Sequence, residues 1–161
     1  MRSTISLSLA AVLMAGAARL SAQGAPPAPL KDIPGLAAVR ASYMRLFAAG
    51  DAAGIAALFS PDGTVDEFGA PRMKGQAQIE AGLKAAFGMQ TPKSLEIVPS
   101  SVTETSSTVA AEGGTYHQMD TAKGKTVHTW GRYVVSAAKD TAGTWHLRYV
   151  MGFPDSTRTD K

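Results

Sequence analysis

Two adjacent carboxylates, Asp66 and Glu67, are the residues of this chain whose type and setting best suit proton-transfer chemistry. They lie near the end of a predicted strand, and strand side chains alternate between the two faces of a sheet. Only one of them can therefore point into the protein, where an apolar setting raises the pKa of a carboxylate and makes it a usable general base. The alternation of side chains does not decide which carboxylate points inward, because an apolar residue lies on each face: Val65 shares the face of Glu67, and Phe68 shares the face of Asp66.

Three helices are predicted to precede the rest of the sheet. The first begins near Asp32, with Pro34 in its first turn, and ends at Gly50. Its apolar positions fall on one face: Leu36, Val39, Tyr43, Leu46 and Phe47. Asp51 can cap a second short helix, and a third helix is predicted over residues 76–87.

After Gly88 the pattern changes to strands, which are predicted over residues 95–105, 108–120, 125–137 and 144–153. Pro99 indicates an edge or a bulge in the first of these strands. Helices followed by an antiparallel meander predict one α+β domain over residues 32–154, with three helices packed on one face of a strongly curved antiparallel sheet. Residues 155–161 are predicted to be a frayed polar tail.

The strand pattern also predicts which side chains face the interior. In the last strand one face carries Trp145, Leu147, Tyr149, Met151 and Phe153, and we expect this face to be the inner one. If the preceding hairpin has a four-residue loop over 121–124, His117 opposes His128, while Tyr116, Gly131 and Tyr133 share the inner side. One bulge would exchange the two sides, so both arrangements remain open.

With that arrangement all four tyrosines, Tyr43, Tyr116, Tyr133 and Tyr149, point toward one interior. A buried tyrosine hydroxyl needs a hydrogen-bond partner, which favours a pocket that contains polar groups over a purely apolar core. The alternative is that the tyrosines are half-buried and that their hydroxyls reach water at the rim.

The stretch AAGDAAGIAALFSPDGTVDEF and the C-terminal GRYVV and GTWHLRYVMGF resemble the SnoaL-like and ketosteroid-isomerase-like branch of the nuclear-transport-factor-2-like superfamily. The resemblance covers residues 35–153 and implies a cone-shaped fold. It implies that Glu67 corresponds to the general base of the isomerases and Tyr43 to their oxyanion-hole tyrosine. Those isomerases carry a second, protonated acid. Here the matching position is Gly131 or Trp130, neither of which can supply that donor.

The three histidines raise the alternative of a metal site, since His117 and His128 would be paired across a hairpin. Zinc needs a third or fourth ligand, and His146 has no demonstrable proximity to the pair. We therefore expect histidines on a solvated outer face, no metal site and no cofactor. We also expect a homodimer that forms through this outer face near Trp130 and Arg132.

The N-terminus has the pattern of a secretory signal peptide over residues 1–24, followed by a Pro/Ala linker over 25–31. We expect cleavage between Ala22 and Gly24 and a periplasmic or secreted bacterial protein, without stable membrane insertion after cleavage. Removing the two arginines of that segment lowers the Lys and Arg count from 16 to 14 against 13 acidic residues. The chain has no cysteine and no basic cluster, so neither disulfides nor a nucleic-acid partner are expected.

Two functions follow from the sequence. The first is an exported domain that binds a small, partly apolar molecule, with predicted ligand-binding residues Phe59, Tyr116, Tyr133, Leu147, Tyr149 and Met151. The alternative is an isomerase, cyclase or dehydratase in which Glu67 is the general base and Tyr43 the electrophilic donor to a carbonyl substrate. The residues do not identify the ligand.

Overall fold

A computed structural model describes residues 30–161 of the chain. The predicted signal peptide, and the predicted linker up to residue 29, lie outside the described residues. Residues 30–161 contain three helices: α1 (Pro34–Ala48), α2 (Ala52–Ala57) and α3 (Gln76–Met89). They also contain six strands: β1 (Phe59–Glu67), β2 (Met73–Lys74), β3 (Thr91–Ser106), β4 (Val109–Ala122), β5 (Lys125–Lys139) and β6 (Trp145–Thr159).

The six strands form one sheet in the order β2-β1-β6-β5-β4-β3. All neighbouring pairs are antiparallel except β1 and β6, which are parallel. The α+β class and the antiparallel meander of β3 to β6 confirm the prediction, whereas the parallel pair was not foreseen. No hairpin joins β1 to β6, because α3 and the meander separate them along the chain, so turn chemistry does not dictate their relative direction.

The helix termini follow the local chemistry of the sequence. Pro34 occupies the first turn of α1, and Gly50 ends the segment with a positive φ of 67°. The side chain of Asp51 caps α2 by accepting a hydrogen bond from the backbone amide of Gly54 at 2.8 Å. These caps set the sharp change of direction that leads into β1.

The core lies between the helices and the concave face of the sheet. Its largest fully buried side chains are mostly apolar, and Leu36, Ile55, Phe59 and Ile79 belong to this group. Phe47 of α1 meets Phe87 of α3 edge to face, with ring centroids 5.6 Å apart. The predicted apolar stripe of α1 therefore does pack on the interior, and α1 covers the sheet above β3 and β4.

The β4–β5 hairpin differs from the predicted register by two residues. Its turn consists only of Lys123 and Gly124, both with positive φ (51° and 76°), as a tight two-residue hairpin requires. His117 therefore pairs with Trp130 and not with His128. Because strand faces repeat every two residues, this shift leaves Tyr116, Gly131 and Tyr133 on the predicted inner side.

Strand β6 contains a bulge that overturns part of the predicted inner face. Ala137 pairs with Leu147 and Ser136 with Tyr149, so Arg148 is an extra residue. Between this bulge and a second irregularity at Asp155 the even-numbered residues turn inward, so Tyr149, Met151 and Phe153 lie on the outer side.

The C-terminal segment also differs from the prediction. The frayed tail expected from residue 155 is instead a continuation of β6, because β5 is long enough to pair with it as far as Thr159. Pro99, by contrast, lies at an irregularity of the edge strand β3, as expected. In the part of the chain that the structure describes, no helix is both long and apolar enough to cross a membrane.

Candidate functional site

A cavity of about 140 Å³ lies between α1 and the concave face of the sheet. Half of its lining residues are aliphatic, with side chains such as Leu36, Val65 and Val150. The lining also includes a smaller set of polar residues: Arg40, Tyr43, Glu67, Glu112, Tyr116, Gln118 and Tyr133. A mostly apolar cavity with a few convergent polar groups is the usual form of a small-molecule site.

Glu67 lies at the open edge of the cavity, at the end of β1. In the register of the sheet it faces Gly152, whose missing side chain leaves room for the carboxylate: a Cβ there would lie 3.6 Å from Glu67 Cγ. The residue as a whole is exposed, yet burial of its carboxyl raises its pKa. The exposure of the whole residue and the burial of its carboxyl agree when the backbone and the methylene groups of Glu67 face solvent and its carboxyl turns inward. The presence of Glu67 in the cavity lining supports this orientation.

Two tyrosines accompany Glu67 in the lining, Tyr43 from α1 and Tyr116 from β4. Burial is the main cause, and the negative charge of Glu67 the next, of a rise in the pKa of each to about 12. At neutral pH both phenols are therefore protonated and can donate hydrogen bonds. We call Glu67, Tyr43 and Tyr116 the Glu67 end of the cavity.

Gly131 pairs with Tyr116 across the β4–β5 ladder and lies under its ring. A Cβ at this position would lie 2.6 Å from both Cε1 and Cζ of Tyr116. The space that a side chain would need is thus filled by a phenol. Gly131 is one of the two positions that the resemblance sets against the second acid of the isomerases, and a second hydroxyl donor, Tyr116, lies beside it.

Asp66, the neighbour of Glu67, points to the outer side of the sheet. It accepts hydrogen bonds from Arg72 Nε at 2.8 Å and from the Tyr149 hydroxyl at 3.0 Å. The hydrogen bond from Arg72, followed by that from Tyr149, lowers the pKa of Asp66. The two adjacent carboxylates therefore have pKa values shifted in opposite directions, and only Glu67 combines a raised pKa with a place in the cavity.

A second polar group, which we call the Glu112 end of the cavity, consists of Glu112, Arg40 and Tyr133. The Tyr133 hydroxyl donates to Glu112 Oε1 at 2.6 Å, and Arg40 forms ion pairs with Glu112 and with Asp32. Glu112 is only 4% exposed. Burial opposes the charge of Arg40, but its hydrogen bond to Asp32 and the charges of Glu112 and Asp32 outweigh this and raise its pKa.

Gln118 lines the cavity on the same strand as Tyr116. Its side-chain amide donates to Asp120 Oδ2 at 2.7 Å, and Asp120 is 1% exposed. Burial raises the pKa of Asp120, while the hydrogen bond from Gln118 opposes this shift. Because the amide hydrogen is used in this way, the orientation of the Gln118 side chain is fixed.

The cavity brings together several predicted site residues: Glu67, Tyr43, Tyr116, Tyr133 and Leu147. It does not include Phe59, which is fully buried in the core, or Tyr149 and Met151, which the β6 bulge turns outward. The expectation that four tyrosines face one interior is therefore wrong for Tyr149.

The prediction missed three polar lining residues, Arg40, Glu112 and Gln118. Glu112 and Gln118 share the parity of Tyr116 on β4, and this signal would have flagged both as inward-facing. Arg40 lies away from the centre of the apolar stripe of α1, so that stripe gives no signal for it. It reaches the cavity because Glu112 and Asp32 compensate its charge.

The histidines form a different structure on the outer face of the sheet. His117 Nε2 lies 3.0 Å from His128 Nδ1, and the His117 ring is parallel to Trp130 with centroids 4.7 Å apart. Arg158 covers Trp130, with its guanidinium carbon 5.4 Å from the ring centroid. Among residues 30–161, no group of three or more His, Cys, Asp or Glu side chains is arranged to hold a metal ion.

Comparison with known proteins identifies the family. The SnoaL-like domain matches residues 26–146, which is most of the chain. The chain belongs to the SnoaL-like family. No curated protein matches it.

Solved structures with the same fold include members with enzyme names. A ketosteroid isomerase-like protein from Erwinia carotovora atroseptica superposes with a TM-score of 0.71 at 16% identity, over 78% of this chain and 98% of that one. A candidate scytalone dehydratase from Novosphingobium aromaticivorans gives a TM-score of 0.68 at 14% identity, over 80% and 87%. A type 2 hexachlorocyclohexane dehydrochlorinase gives 0.69 at 9% identity, over 80% and 88%. These likenesses establish the nuclear-transport-factor-2-like cone fold.

Proposed function

We propose that this SnoaL-like domain is an enzyme that moves a proton on a small, partly apolar carbonyl compound, with Glu67 as general base. The observation that carries the proposal is the Glu67 end of the cavity. There a carboxylate with a raised pKa stands with two phenols that remain protonated at neutral pH. Perturbed pKa values that converge in an apolar cavity are typical of acid–base sites.

The chemistry of this end fits enolisation. Glu67 takes a proton from the carbon next to the carbonyl, and the electrons of the broken C–H bond form a C=C bond while the carbonyl oxygen becomes an enolate. Tyr43 and Tyr116 donate hydrogen bonds to that oxygen. Return of the proton to another carbon completes an isomerisation, whereas departure of a hydroxide with a proton completes a dehydration.

Tyr116 supplies the second hydrogen-bond donor to the enolate oxygen, in place of the second acid of the isomerases, which Gly131 cannot provide. A single oxyanion donor contributes roughly 3 to 4 kcal/mol to transition-state stabilisation. Because the Tyr116 ring covers Gly131 and its pKa responds to the charge of Glu67, its hydroxyl is the natural second donor beside Tyr43.

The names of the similar structures support this choice of reaction class. Isomerase, dehydratase and dehydrochlorinase denote rearrangement, loss of water and loss of hydrogen chloride, and a base can accept the proton in each. At these identities the likeness concerns the fold, so the residues of the cavity remain the argument for this chain.

The second candidate is a binding domain without turnover. It is favoured by one feature of the sequence: the position that the resemblance sets against the second acid is Gly131 or Trp130, and a phenol such as Tyr116 is a weaker proton donor than a carboxylic acid. In both readings the signal-like residues 1–24 support export to the periplasm or the cell exterior. Mass spectrometry of the exported protein tests this, and a mass that retains Met1 contradicts it.

Hydrogen–deuterium exchange on bound ketones tests the base directly. The protein is incubated in D₂O with a panel of single-ring ketones, and NMR follows exchange of the hydrogens next to the carbonyl. We expect Glu67→Gln to slow the protein-dependent exchange by about 10²- to 10⁴-fold. Asp66→Asn is the matched control, because Asp66 neighbours Glu67 but points outward, and it should exchange at the wild-type rate.

Three outcomes decide between the candidates. Exchange that depends on Glu67 and not on Asp66 supports the enzyme. Binding without exchange in the wild-type protein leaves the cavity as a binding site. Exchange that persists unchanged in Glu67→Gln contradicts the role of Glu67 in either form.

A further inference from the structure

The Glu112 end of the cavity takes no part in the proton transfer proposed above, yet it is the most elaborate polar group in the lining. Glu112 is 4% exposed, and both of its oxygens are engaged, one by the Tyr133 hydroxyl and one by Arg40. All three side chains line the cavity. Burying charged side chains costs free energy, and a protein in which packed apolar residues replace them is often equally stable.

The hydrogen-bond inventory shows what this end can recognise. A tyrosine hydroxyl has one hydrogen, and that of Tyr133 is used by Glu112. The phenol oxygen can therefore only accept a hydrogen bond from a ligand. A carboxylate is likewise an acceptor, and Glu112 retains lone pairs beyond the two bonds it already accepts. Arg40, the third member of this end, keeps N–H donors beyond those it gives to Glu112 and Asp32. This end thus matches a ligand group that can both donate and accept a hydrogen bond.

We propose that the Glu112 end binds a hydroxyl group of the ligand, so that the substrate class is a neutral, single-ring hydroxy ketone. The inference rests on the proposed function for the carbonyl end and adds the group at the other end. The ketone oxygen faces Tyr43 and Tyr116, and the hydroxyl faces Glu112 and Tyr133.

A hydroxyl suits this end better than a charged donor or a carboxylate. It donates to Glu112, and its own oxygen tolerates the neighbouring guanidinium of Arg40. A ligand carboxylate would meet the like charge of Glu112, which already pairs with Arg40. An ammonium group would have to lose its hydration in a mostly apolar cavity.

The size and length of the cavity restrict the ligand further. An apolar cavity of about 150 Å³ holds one benzene ring, and the cavity here measures about 140 Å³. Glu112 and Tyr116 are four residues apart on β4, which is about 13 Å along the strand. Their side chains converge on the cavity from these positions, so a ring with one polar group at each end can bridge them.

Calorimetric titration at pH 7 with four related ketones tests the inference. The ligands are acetophenone, para-hydroxyacetophenone, its methyl ether and para-acetylbenzoate. In the wild-type protein we expect the hydroxy ketone to bind about tenfold more tightly than acetophenone, because a hydrogen bond to a charged group is among the stronger ones. The methyl ether, which cannot donate, should gain nothing, and the benzoate should bind most weakly.

Two variants and one control separate this site from the catalytic end. Glu112→Gln and Tyr133→Phe should each reduce the tenfold preference to about threefold or less, and thermal unfolding verifies that each variant is folded. Glu67→Gln should keep the preference even though it loses exchange activity.

The outcomes are distinct. Equal binding of acetophenone and its hydroxy derivative, or a preference that survives both variants, overturns the inference while the exchange assay still decides the role of Glu67. Failure of all four ketones to bind at millimolar concentration overturns it as well. A preference lost in both variants and kept in Glu67→Gln supports it, whatever the exchange assay returns.

Discussion

Replacing Arg40 with methionine should destabilise the domain strongly, because it leaves Glu112 as a buried carboxylate without its cation. The Arg40 and Glu112 side chains are 12% and 3% exposed, so water can replace little of the lost interaction. Breaking a buried ion pair from one side costs about 3 to 5 kcal/mol. We expect a value near the lower limit, about 3 kcal/mol, because both residues border a cavity and because Tyr133 still donates to Glu112. Urea unfolding with a constant m-value measures this change.

A second substitution distinguishes the buried charge from lost packing. In Arg40→Met with Glu112→Gln the only carboxylate that loses its cation is Asp32, whose side chain is 35% exposed. The cost should therefore fall to about 1 to 2 kcal/mol, the scale of neutral hydrogen bonds. Arg148→Met is the matched control, because Arg148 pairs with Asp62 at 49% and 62% exposure. Such exposed pairs contribute about 1 kcal/mol or less. If Arg40→Met costs no more than Arg148→Met, the Glu112 end is hydrated and the reasoning is refuted.

Three further predictions concern stability and assembly. Gly131→Ala should lower the free energy of unfolding by about 1 to 3 kcal/mol, because its Cβ would lie 2.6 Å from the Tyr116 ring and 2.5 Å from the Phe153 carbonyl oxygen. By contrast, Gly88→Ala should raise the free energy of unfolding by about 0.5 to 1 kcal/mol, because Gly88 lies in α3 with open space around it. Glu67→Gln should be more stable than wild type at pH 7 to 8 and as stable as wild type near pH 4. The reason is that the pKa of Glu67 is raised in the folded state, so the wild-type fold is stabilised only while this carboxyl is protonated. That contribution is present below the unfolded-state pKa and is lost as the pH rises through the folded-state pKa. Thermal unfolding between pH 4 and 8 measures this difference, and a gap that grows toward low pH contradicts the sign. We also predict a homodimer through the outer sheet face near Trp130 and Arg132, where Val134 is 49% exposed. Light scattering should give a dimer for wild type and a monomer for Val134→Lys. A wild-type monomer at micromolar concentration contradicts this prediction.

Most of the fold could be predicted because its signals are local. Pro34, Gly50 and Asp51 mark helix ends by their own backbone chemistry, and alternation identified the strands of the meander. The parallel pairing of β1 with β6 could not be predicted this way, since it depends on where the meander returns and not on any turn between the two strands. The resemblance selected Glu67 over Asp66, which parity had left open.

Two local features of the strands differ from the prediction, and one of them accounts for the loss of Tyr149 and Met151 from the candidate site, whereas Phe59 is absent because it is fully buried in the core. The hairpin turn is two residues long and not four, which moved His117 opposite Trp130 but kept every face. The bulge at Arg148 did exchange faces, and it removed Tyr149 and Met151 from the cavity. A bulge inserts one residue without changing the apolar pattern on either side, so alternation in the sequence has no signal for it.

That same bulge is what gives Asp66 and Glu67 different chemistry. By turning Tyr149 outward it supplies Asp66 with a hydroxyl donor beside Arg72, and this outer group lowers the pKa of Asp66. By bringing Gly152 inward it leaves space beside Glu67, whose carboxyl then shares the cavity with Tyr43 and Tyr116. A β6 strand without the bulge would turn Tyr149 toward the interior and a glycine toward Asp66. The separation of one structural carboxylate from one chemically poised carboxylate therefore depends on a single inserted residue in the neighbouring strand β6.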